Sequence, residues 1–495
     1  MASIETVSRY VPQLRTALVL TGTGTAGAYH AGVLRALVEA GVKIDLVAGR
    51  GIGAVGAMFA AVDGGSRLWA QSGLWRSRGV RRTYRWRQTL RGAAWMLAAA
   101  FATTLLPVAA LALAAVVFPV GYFLSLVGVE FGAAFATAYE GWLRTVFAPS
   151  FLPVYLPRVA VIAVASLLML LVIDALERGL RRGARRVARG GLWWRLLGAP
   201  IDHAQAVGWF SGGLWQIMHG SRIQRPTDDE LGQRYAELLQ ENLGQPGSRE
   251  LLMLVHDVDA RRDVAFALLA EPYREEFLQA LPGADAAARP LETVDLTRAA
   301  PRHAMDAFAA ALSLPVATDP HHMTFAHDSA WRGETHRFCD RPESTARLLD
   351  EVLRAGVQQV ILVAALPPAA GPHALGAARR DFHGRAGEYL LGIERVSIQE
   401  AIDTRRGQFR SLFEVRPAHN PVGPFDVAGC YDEHSDRTQT LDELVDRGYE
   451  DGFRQFVDAV LGASGELIET PPGEPAEPSE SFSARLASHH HESAP

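Results

Sequence analysis

The sequence predicts an α/β fold, a mostly parallel sheet flanked by helices and interrupted by an apolar helical hairpin. Three observations predict it. Short β-prone apolar runs alternate with helical patterns at both ends of the chain, as in Thr16–Thr21, Ile44–Ala48, Leu251–Val255 and Val360–Val363, and that alternation is the pattern of a parallel sheet covered by helices. A strand, glycine loop, helix, strand and second glycine turn follow one another without a break from Thr16 to Gly56. Between the two sheet-forming regions lies a stretch from Gly92 to Val129 with no charged residue.

The first element is the run Thr16-Ala17-Leu18-Val19-Leu20-Thr21, opening into Gly22-Thr23-Gly24-Thr25-Ala26-Gly27. Glycines let the backbone turn tightly and bring its N–H groups close to a ligand oxygen at a helix N-terminus. Ala28, Ala31, Val33, Leu34, Leu37 and Val38 recur at helical spacing, and Gly41 stands where a C-terminal cap belongs. A second buried strand, Ile44–Ala48, runs into Gly49-Arg50-Gly51-Ile52-Gly53, which has the shape of a nucleophile elbow without a nucleophile. A tightly packed helix, Ala54–Val62, is expected after it.

From Arg76 to Arg91 there are seven arginines and no acids, and the uncharged run follows. About 20 apolar residues cross a bilayer, so this run is long enough, and Pro107 and Pro119 can kink it. A second apolar block, Val159–Ile173, reaches spanning length when counted from Val154 with Arg158 snorkelling to the interface. Arginines from Arg178 to Arg195 and the Trp193-Trp194 pair follow. Basic clusters on both outer flanks put both in the cytoplasm, and an even number of spans returns the chain to the side it left. The expected spans are therefore about 93–129 and 154–173, within an insert covering 76–200. Residues 1–75 and 225–465 are expected to build one discontinuous α/β domain, with 201–224 a connector and 466–495 a disordered tail rich in Pro, Ser, Glu and Ala.

Composition narrows the partners. The net charge of -5 argues against nucleic acid, and two cysteines, Cys339 and Cys430, are too few for a disulfide framework. The lead-in around Arg9 and Arg15 frames no apolar segment and does not read as a signal peptide. One lysine among many arginines and alanines points to a bacterial genome of high GC content. The expected location is the bacterial cytoplasmic membrane, with the soluble part on the cytoplasmic side.

Downstream, Thr227-Asp228-Asp229-Glu230 reads as a helix start with acids in its first turn. A buried strand emerges at His256-Asp257, an alanine-rich helix runs from Arg302 to Leu314, and a polar strand, His336–Asp340, leads into the amphipathic helix Ser344–Arg354 and the Val360 strand. The helix Leu441–Leu461 closes the fold.

The glycine loop with its continuation Ala28-Tyr29-His30-Ala31-Gly32-Val33-Leu34, the Gly49–Gly53 elbow and the Asp340 unit together resemble the patatin-like phospholipases. Over residues 16 to 65 the resemblance is specific; over roughly 250 to 460 it is looser, and the apolar insert lies outside it. It implies an elbow nucleophile activated by an Asp without histidine, with the loop N–H groups holding the oxyanion. Carried onto this chain, Asp340 is the acid of the dyad and Gly51 replaces the nucleophile; Gly22, Gly24, Gly27, Gly49 and Gly53 are the oxyanion or ligand-binding positions. Ala26 replaces the family's basic residue, and Arg341-Pro342 replaces the glycine of its acid turn. Asp426 is the rival acid; Asp340 is preferred because a helix and a buried strand follow it.

Losing the nucleophile of such a hydrolase costs on the order of a million-fold in turnover. The leading reading is a membrane protein that binds or metabolises lipid, with phospholipid or acyl-ester ligands, no cofactor and no metal, and without serine hydrolysis. One alternative is an active esterase in which Asp340 activates water in the space left by Gly51. Another is dinucleotide binding through Gly22-Gly24-Gly27, with Asp45 as the ribose acid, although Asp45 stands at the wrong end of its strand. Ser211 lacks an elbow, and His321, His322, His327, His336 and Cys339 match no zinc spacing.

Overall fold

The computed structural model describes residues 9–181, 198–219, 224–279, 288–297, 300–368, 381–418, 423–432 and 437–462. The expected 466–495 tail and the arginines from Arg182 to Arg195 lie outside the described residues.

Strands β1 (Thr16–Gly22), β2 (Leu46–Gly51), β5 (Glu250–Asp257), β10 (Gln359–Ala364) and β11 (Ser411–Val415) form the parallel part of one sheet. Its order is β11-β10-β1-β2-β5, continued by β6 (Arg262–Leu268), antiparallel to β5, and β7 (Thr293–Asp295). Strand β9 (Thr335–Cys339) adds to the far end of β5 in the antiparallel sense and pairs with β8 (His321–Thr324). The expected mostly parallel sheet is present, with antiparallel pairing where β6, β9 and β8 join it.

Alternation along β1 divides the core in two. Leu18 and Leu20 face one layer, with α1 (Ala26–Glu39) and α2 (Ile52–Ala61); Ala17 and Val19 face the other, with α9 (Thr345–Arg354) and α10 (Phe382–Arg405). Both faces being dry is why the strands read as continuous apolar runs.

Three helices occupy the region between β2 and β5 that was expected to hold a two-helix hairpin: α3 (Gln88–Leu126), α4 (Glu130–Val146) and α5 (Leu152–Arg181). Helices α3 and α5 are each long and apolar enough to cross a membrane. At a rise of 1.5 Å per residue α3 is about 58 Å long, so no single bilayer core of about 30 Å contains it. Its first half packs on α5, where Gly92 faces Leu170; its second half is covered by α4, with Gly121 against Gly132 and Ala136, and the Tyr139 hydroxyl donating to Ala110 O. Charges at Glu130, Glu140 and Arg144 mark the additional helix. The insert is tied to the sheet domain by a ribbon of β3 (Arg85–Trp86) and β4 (Ile201–Asp202). Within the expected connector lies α6 (Ala204–Met218), whose Phe210 and Leu214 enter the core.

Helices α7 (Asp228–Asn242), α8 (Ala304–Ala311) and α11 (Leu441–Gly452) complete the layers. Thr227 accepts from Glu230 N, and Thr440 and Glu443 form a reciprocal capping box.

Candidate active site

The site lies where β1 and β2 end side by side, with Gly22 in register with Gly51, at the carboxyl edge of the parallel strands where α/β sheets hold their ligands. Strand β2 passes into α2 without a linker. Gly51 makes that reversal alone at φ 55°, ψ -137°, a conformation that side-chain-bearing residues adopt only at the cost of strain. The elbow expected from the glycine spacing is therefore formed. A Cβ on Gly51 would lie 2.4 Å from Gly22 O and 2.8 Å from Asp340 Oδ2, so the structure brings Asp340 to the Gly51 turn and leaves no room there for a side chain. The backbone hydrogen bond from Asp340 N to Ser313 O, 2.7 Å, fixes the acid just past β9. The rival Asp426 lies elsewhere, in the turn Gly423–Asp426, where its N–H donates to Gly423 O.

Arg50 is the decisive neighbour, and sequence reasoning gave it no role. It is fully buried. Its guanidinium donates to both oxygens of Asp340, at 3.2 and 3.0 Å, to Thr345 Oγ1 at 3.2 Å, and to Glu394 of α10. Thr23 of the glycine loop donates to Glu394 at 3.4 Å. One cation thus serves two carboxylates in a dry site. Burial pushes the Asp340 and Glu394 carboxyls up, with Arg50 offsetting only part of it. Burial opposes the Arg50 charge, but the two carboxylates outweigh it and raise its pKa. The signal in the sequence was a charged residue inside an otherwise apolar strand and turn, because a buried charge must be paired; its second partner, 344 residues away, left no local trace.

The glycine loop is occupied by the chain itself. Thr25 N donates to Pro424 O at 3.1 Å and Thr25 Oγ1 to Gly423 O at 2.9 Å, while Ala26, Gly27 and Ala28 donate to Thr23, Gly24 and Thr25 carbonyls. Gly24 has φ +56°, and a Cβ there would meet Pro424 O at 1.9 Å. Close packing also accounts for other loop and elbow glycines: a Cβ on Gly27 would meet Trp75 at 2.2 Å, one on Gly49 would meet Gly53 at 2.5 Å, and one on Gly53 would meet Leu20 O at 2.0 Å. The cleft beside the loop, between Thr23, Ala26, Leu366, Leu391 and Glu394, has a cavity volume of only about 10 Å³, far below ligand pockets of about 300–1,000 Å³.

His30 stands behind the loop, its Nε2 donating to Thr21 O at 3.1 Å, with Nδ1 buried and unpartnered. Burial lowers its pKa to about 3, so the ring is neutral. Tyr84, at φ 53°, donates to Leu312 O and is raised by burial and by the Asp340 charge.

The remaining candidates are paired elsewhere. Ser211, fully buried, accepts from Arg225. His256 pairs with Asp263 at 2.7 Å, His336 with Asp257 at 2.5 Å and Glu334 at 3.0 Å, and His321 with Asp306 at 2.8 Å. Among the described residues no group of three metal-ligating side chains is assembled. Asp45 accepts from Thr16 N, at the start of β1, whereas the glycine loop is at its end. Six residues of strand, about 20 Å, separate the two, so Asp45 cannot reach a ribose whose pyrophosphate sits on the loop, and the dinucleotide alternative fails on that distance.

Residues 18–177 match the family model described as patatin-like phospholipase. That segment is similar to the patatin-like phospholipase domain. The matched segment contains the glycine loop, the elbow and helices α3 and α4, and ends before β5 and Asp340. A 63-residue stretch is 49% identical to patatin-like phospholipase domain-containing protein 6 of mouse (Mus musculus), and equally to that of Pongo abelii and of Homo sapiens; it covers 11% of this chain and 5% of each relative. The match thus spans about a twentieth of the length of these relatives. Among solved structures, VipD from Legionella pneumophila aligns over 91% of this chain and 67% of its own at 13% identity and a TM-score of 0.30, a likeness too slight to bear on the fold of the patatin-like domain.

Proposed function

We propose that this protein is a membrane-anchored, lipid-binding member of the patatin-like family in which serine–aspartate hydrolysis has been lost. One observation carries the proposal: the nucleophile position is Gly51, and both oxygens of the acid that would activate a serine or a water accept from Arg50 in a site where Asp340 is 1% exposed. An Asp whose two oxygens both face a buried guanidinium is oriented toward that cation and not toward a substrate or water proton, which counts equally against the water-activating alternative. General-base catalysis needs the base within reach of the proton it takes. The family supports a lipid ligand, and the two long apolar helices support insertion in the cytoplasmic membrane with the sheet domain on the arginine-rich, cytoplasmic side.

The test uses the full chain in detergent with a panel of phospholipids and short-chain esters. The parent is expected to turn over none of them, and Gly51→Ser is expected to stay unlabelled by fluorophosphonate, because its Cβ meets Gly22 O and its acid remains on Arg50. Ester turnover by the parent above the protein-free rate would overturn the loss of hydrolysis. Release of the protein from membranes by high salt would overturn the anchor.

A further inference from the structure

Six of the seven arginines from Arg76 to Arg91, those before α3, divide into two kinds. Arg76 is held by Asp446, with Asp442 at 3.8 Å. Arg87 joins three parts of the chain: Asp174 of α5 at 2.5 Å, Ala199 O at 3.0 Å and Asp319 at 3.7 Å. By contrast Arg78, Arg81, Arg82 and Arg85 are exposed, and among the described residues no carboxylate pairs with any of them. Arg85 does no more than donate to Arg81 O at 2.9 Å. They crowd into eight residues just before α3 begins at Gln88.

Their depth relative to the apolar helices follows from the packing. Gly92 against Leu170, together with Arg87 against Asp174, sets α3 and α5 antiparallel in one register. Counting at 1.5 Å per residue, Arg158 of α5 lies about 24 Å from the Asp174 level, and Ala110, which receives the Tyr139 hydroxyl beside Trp142 and Arg144, lies about 33 Å from Gln88. A polar and aromatic layer therefore recurs about one hydrocarbon thickness, about 30 Å, beyond the first. Trp86 and Trp95, 38% and 74% exposed, accompany the first layer, where indole rings favour the headgroup level.

We infer that Arg78, Arg81, Arg82 and Arg85 form a collar that binds the phosphate groups of anionic phospholipids in the leaflet facing the sheet domain. This deepens the proposed function and rests on its membrane reading. The charge is one-sided: among the described residues none of the four cations is ion-paired, Asp202 opposite Arg85 on the β3–β4 ribbon accepting instead from Ala204 N, and the collar is continuous with the apolar surface that meets the acyl chains. A basic residue near an anionic leaflet contributes a factor of roughly five in binding, and the contribution weakens with salt.

The experiment reconstitutes the full chain into nanodiscs of equimolar dioleoyl phosphatidylglycerol and dioleoyl phosphatidylcholine, recovers it in mild detergent and quantifies the lipid retained. The parent is expected to be enriched in phosphatidylglycerol. R78Q/R81Q/R82Q/R85Q should lose that enrichment while keeping the parent's melting temperature, and the fourfold lysine variant should keep most of it. Equal enrichment in the glutamine variant and the parent would overturn the collar, as would full displacement by millimolar inorganic phosphate, which would make it a small-anion site. A protein that resists alkaline extraction but shows no enrichment defeats the collar alone, whereas extraction defeats the membrane reading beneath it.

Discussion

Arg50 and the collar arginines are the same residue type under opposite conditions. Arg50 is dry, bonded along its whole guanidinium edge, and shared between two carboxylates that converge from α10 and from the end of β9. Arg78, Arg81, Arg82 and Arg85 are wet and, among the described residues, ion-paired with no carboxylate. The difference teaches where each charge acts. A buried cation cannot be left alone, because removing one member of a buried ionic group strands the others. Exposed cations keep their hydration and are available to an external anion.

The largest effect separating the two regions is expected at Arg50. Arg50→Met leaves Asp340 and Glu394 buried side by side and should destabilise the fold by about 3–5 kcal/mol, measured by chemical unfolding in detergent. Asp340→Asn and Glu394→Gln should each be markedly milder, since one cation and one carboxylate remain. Equal losses from all three variants would break the picture of one cation serving two acids. The fourfold glutamine variant of the collar should leave stability where it was.

A second difference is pH dependence. His30 is held near 3 when folded against an ordinary 6.5, so between those values the unfolded chain binds the extra proton and stability is lost as pH falls. The slope from this residue is about 1.4 kcal/mol per pH unit. His203, lowered to about 4 by burial and the nearby His321, acts in the same direction over a narrower window. Asp340 and Glu394 act oppositely: their folded-state values are raised, so they take up protons first in the folded chain and add stability as pH falls through that range. Melting temperature against pH should therefore decline below about pH 6.5 and flatten in His30→Gln; an unchanged profile would show that His30 titrates normally.

The smallest effect is expected at Arg76, intermediate between the two kinds. Its partner Asp446 is largely exposed, so Arg76→Gln should cost under about 1 kcal/mol. A larger loss by thermal unfolding would mean that this pair belongs with Arg50.

Much of this was legible locally. The Thr16 run, the glycine loop, the helix after it, the Leu46 strand and the Gly51 turn follow from apolar spacing and glycines within some forty residues, a scale on which backbone preference and periodicity decide. The same reasoning placed Asp340 beyond a strand and ahead of a helix, and recognised in Gly51 an elbow without a side chain. The uncharged length from Gly92 announced a helix of spanning length. Helix α4 escaped because its few charges interrupt an apolar stretch without marking which neighbour covers it.

Sequence alone determined that the turn after the Leu46 strand carries a glycine, Gly51, at its centre, since that is a matter of residue identity at a recognisable glycine spacing. The tertiary structure alone decided what fills the space: Asp340 beside Gly51, Arg50 across both its oxygens, Glu394 from a helix more than three hundred residues away, and Pro424 O on the loop N–H of Thr25. The reason is physical. A local turn is set by the dihedral preferences of its own residues, but the pairing of a buried charge is set by whichever distant groups the packed layers bring within hydrogen-bond reach.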